Sequence, residues 1–412
     1  MRTCSFQRLG VWLLAGLTLT GGCYAMQPMD QDSDSESTEL VVRHLAQIRD
    51  RAMAYAYYTR SAYLRHRVSH QLARSRADAR SRQNIVEALV YLERALDHAP
   101  RAAYLWWEYA ALNNGLGRIN RVIYAYEHLV ALKPGAALHS KLGALYELRG
   151  KSDLAVAQYR RALKFEPDDA VLRERIVDVY VAEGIKARQR GDEELANAQF
   201  RCALGELETL LAATDRHWLR LKEGLLLELI DEPARALAAY ERAAELAPHE
   251  LEAYVRASKI HYARGEIALR EGDEEQARQY FSMAAGIVTT AVTHTSHTPD
   301  LLNYTAYVLA LAGENLGLAE NLVQAALKHD AGNGAYVDTL GWIYFRQGKY
   351  DQALAKVERA RQLEGDDPVI TEHLGDIYEH LGEPRRAREM WEQSLSLDAG
   401  NVNVRKKLQR LE

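Results

Sequence analysis

Residues 340–353, LGWIYFRQGKYDQA, return 34 positions later as residues 374–387, LGDIYEHLGEPRRA. Leu340, Gly341, Tyr344, Gly348 and Ala353 thereby align with Leu374, Gly375, Tyr378, Gly382 and Ala387, and Ala319 stands one further period upstream. A repeat of this length is one helix-turn-helix unit, which cannot bury its apolar face alone and must stack on its neighbours. Two helices approach closely only where a small side chain meets the facing ridge. Gly341, Ala353 and Ala360 therefore read as contact points, with Leu340 and Tyr344 filling the space between them. No long strand-like alternation occurs, so the fold class is all-α.

The ladder continues towards the N-terminus. Gly143, Tyr146, Gly150, Ala155, Tyr159, Ala162 and Pro167 form one complete unit; Trp106, Ala110, Gly117, Tyr126 and Pro134 form another; Ala88, Ala95 and Pro100 close an earlier one. The prolines suit helix ends, because proline lacks an N–H and disfavours a helical residue before it. A longer period crosses the middle: Gly184, Ala187, Gly191, Asp192, Ala196, Phe200 and Ala203 reappear 81 residues on as Gly265, Ala268, Gly272, Asp273, Ala277, Phe281 and Ala284. In these two units, near residues 170–213 and 250–295, the first helix is expected to overrun the usual length and project, with Asp192 and Asp273 as N-caps. Asn401 to Leu411 reads as a short polar helix capping the last exposed face.

These residues and spacings resemble the tetratricopeptide repeat family over roughly residues 84 to 399. The resemblance implies a right-handed superhelical solenoid over residues 103–399, preceded by irregular helices at 39–102 and closed by a cap at 400–412. In that family the first helix of each unit lines a concave groove. Position by position, this nominates Tyr104, Trp107 and Asn114; Asn303 and Tyr307; Asp338, Trp342 and Phe345; and Glu372, Asp376 and Glu379. Trp107 is the better candidate of its pair, since Trp106 takes the core position. The lining is aromatic and acidic, which suits an extended or helical peptide with apolar anchors and some positive charge. The lysine-and-asparagine clamp by which some members grip a terminal carboxylate is missing from the nominated positions.

The N-terminus carries an address. Arg2 and Arg8 precede a mostly apolar run from Leu9 to Leu19, too short to span a bilayer, which reads as a secretory signal over residues 1–22. The LTGGC sequence ending at Cys23 resembles a bacterial lipobox, although Thr20 stands where leucine is usual. That resemblance implies acylation of Cys23, palmitate included, and a lipid-anchored protein of the cell envelope, on the outer membrane and facing the periplasm. Cleavage after Ala25 and secretion as a soluble protein is the alternative. Residues 23–38 are acidic and polar and read as a disordered tether. Beyond them Arg60, Arg65, Arg67, Arg74, Arg76, Arg80 and Arg82 face only Asp78, a charge run that reads as a solvated helix face or a contact with anionic headgroups or envelope polymers.

Catalytic imitations fail on their spacing. His66 and His70 flank Arg67 where a zinc protease needs glutamate, and His294 and His297 lack a nearby third ligand. Gly150-Lys151-Ser152 lacks the leading glycine of a phosphate loop. Cys202 is expected to be a small buried hydrophobe in a helix. No enzyme, cofactor or metal is indicated, and a formal charge of −5 argues against nucleic acid.

One narrower resemblance covers about a quarter of the chain. Leu302 to Tyr307, AYVDTLGWIYFRQGKYDQAL and DDPVITEHLGDIYEHLGEPRRAREMW are similar to the C-terminal repeats of bacterial lipoproteins that act as adaptors for periplasmic carboxyl-terminal processing proteases. It implies a protease and peptidoglycan hydrolases as partners. The alternative is a structural component of an outer-membrane assembly or polymer-export complex. Self-association through convex faces and the long helices is a further expectation.

Overall fold

The structure, a computed structural model, describes residues 34–72 and 79–410. The signal, Cys23 and most of the tether lie outside the described residues, as do Arg74 and Arg76 of the basic stretch. The described residues hold nineteen α-helices and no strand. Two compact units divide the chain, Met1–Pro134 and Gly135–Glu412.

In the first unit α1 (Asp34–Leu72) pairs with α2 (Ala79–His98), and α3 (Ala103–Gly115) with α4 (Ile119–Leu132). Helix α1 begins inside the stretch read as tether, so residues 34–38 are helical rather than disordered.

The second unit is a run of antiparallel hairpins: α5 (Ala136–Leu148) with α6 (Ser152–Leu163), α7 (Ala170–Gln189) with α8 (Glu193–Ala213), and α9 (His217–Leu229) with α10 (Pro233–Leu246). Then follow α11 (Leu251–Glu271) with α12 (Glu274–His294), α13 (Pro299–Ala312) with α14 (Leu316–His329), and α15 (Gly334–Arg346) with α16 (Tyr350–Glu364). Helix α17 (Pro368–His380) pairs with α18 (Pro384–Leu397), and α19 (Val402–Arg410) closes the unit.

In six of the seven hairpins of the second unit, all but α13 with α14, a glycine on the first helix fits against a larger residue sixteen positions later. A Cβ added at Gly143, Gly184, Gly224 or Gly265 would stand 2.3–2.6 Å from the ring of Tyr159, Phe200, Tyr240 or Phe281. At Gly341 and Gly375 it would meet Val357 at 2.5 Å and Trp391 at 2.4 Å. Real Cβ atoms do not approach so closely, so the glycines set the distance between the helices. Ala155, Ala319, Ala353 and Ala387 on the second helices have no exposed surface. The turn between the two helices places Gly348 and Gly382 at φ of 75° and 78°, the left-handed region that glycine reaches without a Cβ penalty.

The long units differ from expectation in one respect: both helices overrun, not the first alone. Helix α7 is extended at its start, where Leu172 and Ile176 are buried, and α8 at its end, where Leu207, Leu210 and Leu211 are buried. An antiparallel partner must lengthen with its neighbour, or the added turns leave apolar surface in water. The caps are as expected, with Asp192 accepting from the Leu195 N–H at 3.0 Å and Asp273 from the Gln276 N–H at 2.9 Å. Cys202 is exposed, contrary to expectation. Phe200, Ala203 and Leu207 take the inward stripe of α8, and a residue two positions from Phe200 falls on the opposite side.

Candidate functional site

The nominated first-helix residues meet different fates in the two units. In the first unit Tyr104 and Trp107 of α3 are 48% and 43% exposed, and Asn114 is exposed as well. Trp107 rests edge-on against Tyr126 at 5.6 Å, and Tyr104 edge-on against Tyr58 at 5.3 Å, so both rings are held while one side of each faces water. Trp106 turns into the core, where it stacks on His128 at 3.9 Å and its indole N–H donates to the Pro100 carbonyl at 2.7 Å.

In the second unit the nominated residues of α13, α15 and α17 are mostly covered. Asp338, Trp342 and Asp376 are only 5%, 8% and 9% exposed, which corrects their expected place on an open groove. Tyr307 of α13 is half-buried. Burial, with Tyr262, Asp338 and Glu266 nearby, raises its phenol well above the usual value. Trp342 of α15 stacks on His373 of α17 at 4.1 Å and on Phe345 at 4.8 Å, leaving Phe345 half-buried. His373 Nδ1 lies 3.0 Å from Asp338 Oδ2 and 3.1 Å from Oδ1. Burial of His373 favours the neutral ring, but Asp338, Asp376 and Glu372 outweigh it and raise the pKa above its ordinary value.

The acidic end of this face is occupied by the chain's own last helix. Lys407 of α19 donates to Glu372 at 2.7 Å and to both Asp376 oxygens at 2.6 and 2.7 Å. The Asn401 side chain donates to Glu372 at 2.8 Å and accepts from the Val404 N–H at 3.0 Å, capping α19 as it ties it down. Val404 is completely buried, and the Trp391 indole N–H donates to Asp376 at 3.0 Å. Burial opposes the charge on both Glu372 and Lys407, yet their pairing prevails: the carboxyl is held below its ordinary range and the amine above. The Lys406 ammonium reaches the Arg270 carbonyl at the end of α11, 2.6 Å away. Of the acidic trio only Glu379 stays exposed, with Glu372 half-buried.

Burial and the Glu372 charge raise the carboxyl of Glu266 on α11. The Trp342 indole nitrogen and the Asn303 side-chain oxygen are buried with no protein partner, a donor and an acceptor on neighbouring first helices. The sequence held a weak signal for the seal, because Asn401, Val404 and Lys407 recur every three residues and so share one side of a helix.

His297 contacts the Val292 carbonyl at 2.6 Å, and the side chain of His70 lies outside the described residues. Among the described residues no cluster suits a metal ion, and no helix is long and apolar enough to cross a membrane. Gly150 and Lys151 form a hairpin turn, and the Ser152 hydroxyl donates to Glu183 at 2.8 Å beside a cavity of about 420 Å³.

Sequence patterns described as tetratricopeptide repeat match residues 136–169, 221–292, 304–368 and 339–402. The chain carries tetratricopeptide repeats. Proteins built from them are in general protein-interaction scaffolds. Among solved structures, a tetratricopeptide repeat protein from Parabacteroides merdae ATCC 43184 is 14% identical, covering 66% of this chain and 97% of its own, with a TM-score of 0.40. The C-terminal part of a repeat-containing protein from Cytophaga hutchinsonii is 17% identical, covering 62% and 95%, with a TM-score of 0.40. A thermophilic repeat protein of Thermus thermophilus is 20% identical, covering 47% and 97%, with a TM-score of 0.32. No curated protein matches the sequence.

Proposed function

We propose that this protein is a non-catalytic docking scaffold of the bacterial cell envelope, anchored by acylated Cys23, which holds a protein partner on the first-helix face of α3. The observation that carries the site is the exposure of Trp107, whose counterpart on α15, Asp338, is buried, with Tyr104 exposed beside it one turn earlier on α3. A large aromatic ring fixed on one side and wet on the other loses little conformational freedom on binding and contributes much contact area. The partner class, a carboxyl-terminal processing protease with peptidoglycan hydrolases, is supported by the resemblance of residues 302–391 to adaptor lipoproteins.

Crosslinking and affinity capture from detergent-solubilised envelopes tests this reading. Wild type should recover the protease and a hydrolase, and Tyr104→Ala with Trp107→Ala should lose them while retaining its helical content. Recovery of a barrel or synthase complex in their place would move the protein to a structural role in assembly or export. Capture unaffected by the double substitution would remove α3 from the site. Cys23→Ser should let a high-salt wash release the protein from the membrane to the soluble fraction, while the acylated wild type stays bound.

A further inference from the structure

Helix α1 has two apolar faces, and only one is used within its unit. Ala54, Ser61 and Leu64 point inward, 2–4% exposed, on the side packed against α2. On the opposite side Leu45, Ile48, Ala52, Tyr55, Thr59 and Tyr63 follow at steps of three and four, within an arc of about 80° at 100° per residue. Leu45, Ile48, Tyr55 and Tyr63 are 53%, 50%, 65% and 54% exposed. Arginines border the row: Arg51 on one edge, Arg49 and Arg60 on the other, all exposed. Arg49 reaches along the helix to Asp50 at 3.3 Å, and the Arg60 guanidinium lies over the Tyr63 ring at 5.7 Å.

We propose that this outward face of α1 lies on an anionic lipid surface, with Leu45, Ile48, Tyr55 and Tyr63 entering the headgroup boundary and the flanking arginines meeting lipid phosphates. Charge decides between a bilayer and a second copy of the chain, the other occupant that a row spaced by three and four would suit. Over the whole of α1 the sequence carries Arg43, Arg49, Arg51, Arg60, Arg65 and Arg67 against Asp34, Glu36, Glu39 and Asp50. Arg43 is paired with Glu39 and Arg65 with Glu108, and the acidic residues other than Asp50 gather at the start of the helix, which leaves Arg49, Arg51 and Arg60 beside the exposed row. Two such faces side by side would bring these arginines together, whereas a negatively charged bilayer attracts the three that border the row. The side-chain types fit as well. Aliphatic residues enter the acyl boundary, tyrosine keeps its hydroxyl at headgroup level, and arginine extends its apolar stem while its head stays wet. The proposal is independent of the α3 docking face and of acylation.

The test uses the full chain carrying Cys23→Ser, so that no acyl chain contributes, and the same chain with Leu45→Glu and Ile48→Glu. Both positions face water, and circular dichroism should be identical for the two proteins. The leader is common to both, so any difference between them isolates α1. With vesicles of phosphatidylglycerol and phosphatidylcholine, the first protein should co-float at least about tenfold more than with phosphatidylcholine alone. The Glu variant should fall to the phosphatidylcholine level, and Arg51→Ala with Arg60→Ala should lie between. Equal flotation on the two lipid compositions, or equal flotation of the parent and the Glu variant, overturns the proposal. So does a dimer in sedimentation equilibrium that the Glu substitutions convert to monomer, which would give the face to a second copy.

Discussion

The first-helix faces of α3 and of α15 with α17 carry residues that the repeat directs to one side, yet one is open and the other closed. On α3, Trp107 keeps 43% of its surface in water, while on α15 Trp342 keeps 8%. The difference is not in the aromatic residue but in what surrounds it. Trp342 is flanked by His373 and Phe345, and the neighbouring carboxylates are bound by Lys407 from a helix that follows all the repeats. A motif position therefore fixes the direction of a side chain along its helix, and the contents of the space it enters decide whether a partner can reach it.

The largest expected effects break the closed face. Lys407→Glu would set a third carboxylate against Glu372 and Asp376. Losing one member of a buried ion pair costs about 3–5 kcal/mol, so the urea midpoint should fall accordingly, with greater amide exchange in α19. Trp342→Ala should cost a similar ~3–5 kcal/mol, whereas Trp107→Ala should change stability by less than about 1 kcal/mol. Equal losses at the two tryptophans would contradict the contrast between the faces.

A smaller effect belongs to the spacing rule. Gly375→Ala places a Cβ 2.4 Å from the Trp391 ring and should destabilise by about 1–3 kcal/mol in thermal melts. Gly115→Ala, with nothing within 4 Å of the added carbon, should be neutral or slightly stabilising. If both substitutions are silent, the glycines do not set the distance between the helices.

The last effect is one of pH. The folded-state pKa of His373 is raised, so its contribution to stability is complete below the unfolded value near 6.5 and is lost as pH rises through the folded value. Glu372 runs the other way: its pKa is lowered, so its contribution is present above the unfolded value near 4.5 and is lost as pH falls through the folded value. Denaturation midpoints of the second unit should thus decline in wild type as pH rises from about 6.5 through the folded value. Asp338→Asn should flatten that decline, because the carboxylate that most favours the charged imidazole is gone.

Much of the fold was legible from residue size and interval alone. Gly341, Gly375, Ala353 and Ala387 marked the helix crossings because only small side chains fit there, and the structure buries each of them. Trp106 and Trp107 were told apart by a step of one residue, which is about 100° around a helix. The length of the second helices in the long units was not legible, because their apolar stripes continue without a break and the end of α8 depends on where α7 begins. The exposure of Cys202 follows from its helical phase, two positions from Phe200, which its residue type does not reveal.

The sequence by itself determined that this chain is a succession of helical hairpins, since the 34-residue interval and the alternation of small with large residues are local facts that need only neighbouring helices to act. The tertiary structure alone decided which first-helix faces remain open. That outcome turns on α19 laying Lys407 into Glu372 and Asp376 and on Lys406 meeting Arg270, 136 residues away along the chain. A contact of that separation leaves no periodic trace in a sequence, because it arises from the accumulated twist of the hairpins between its two ends.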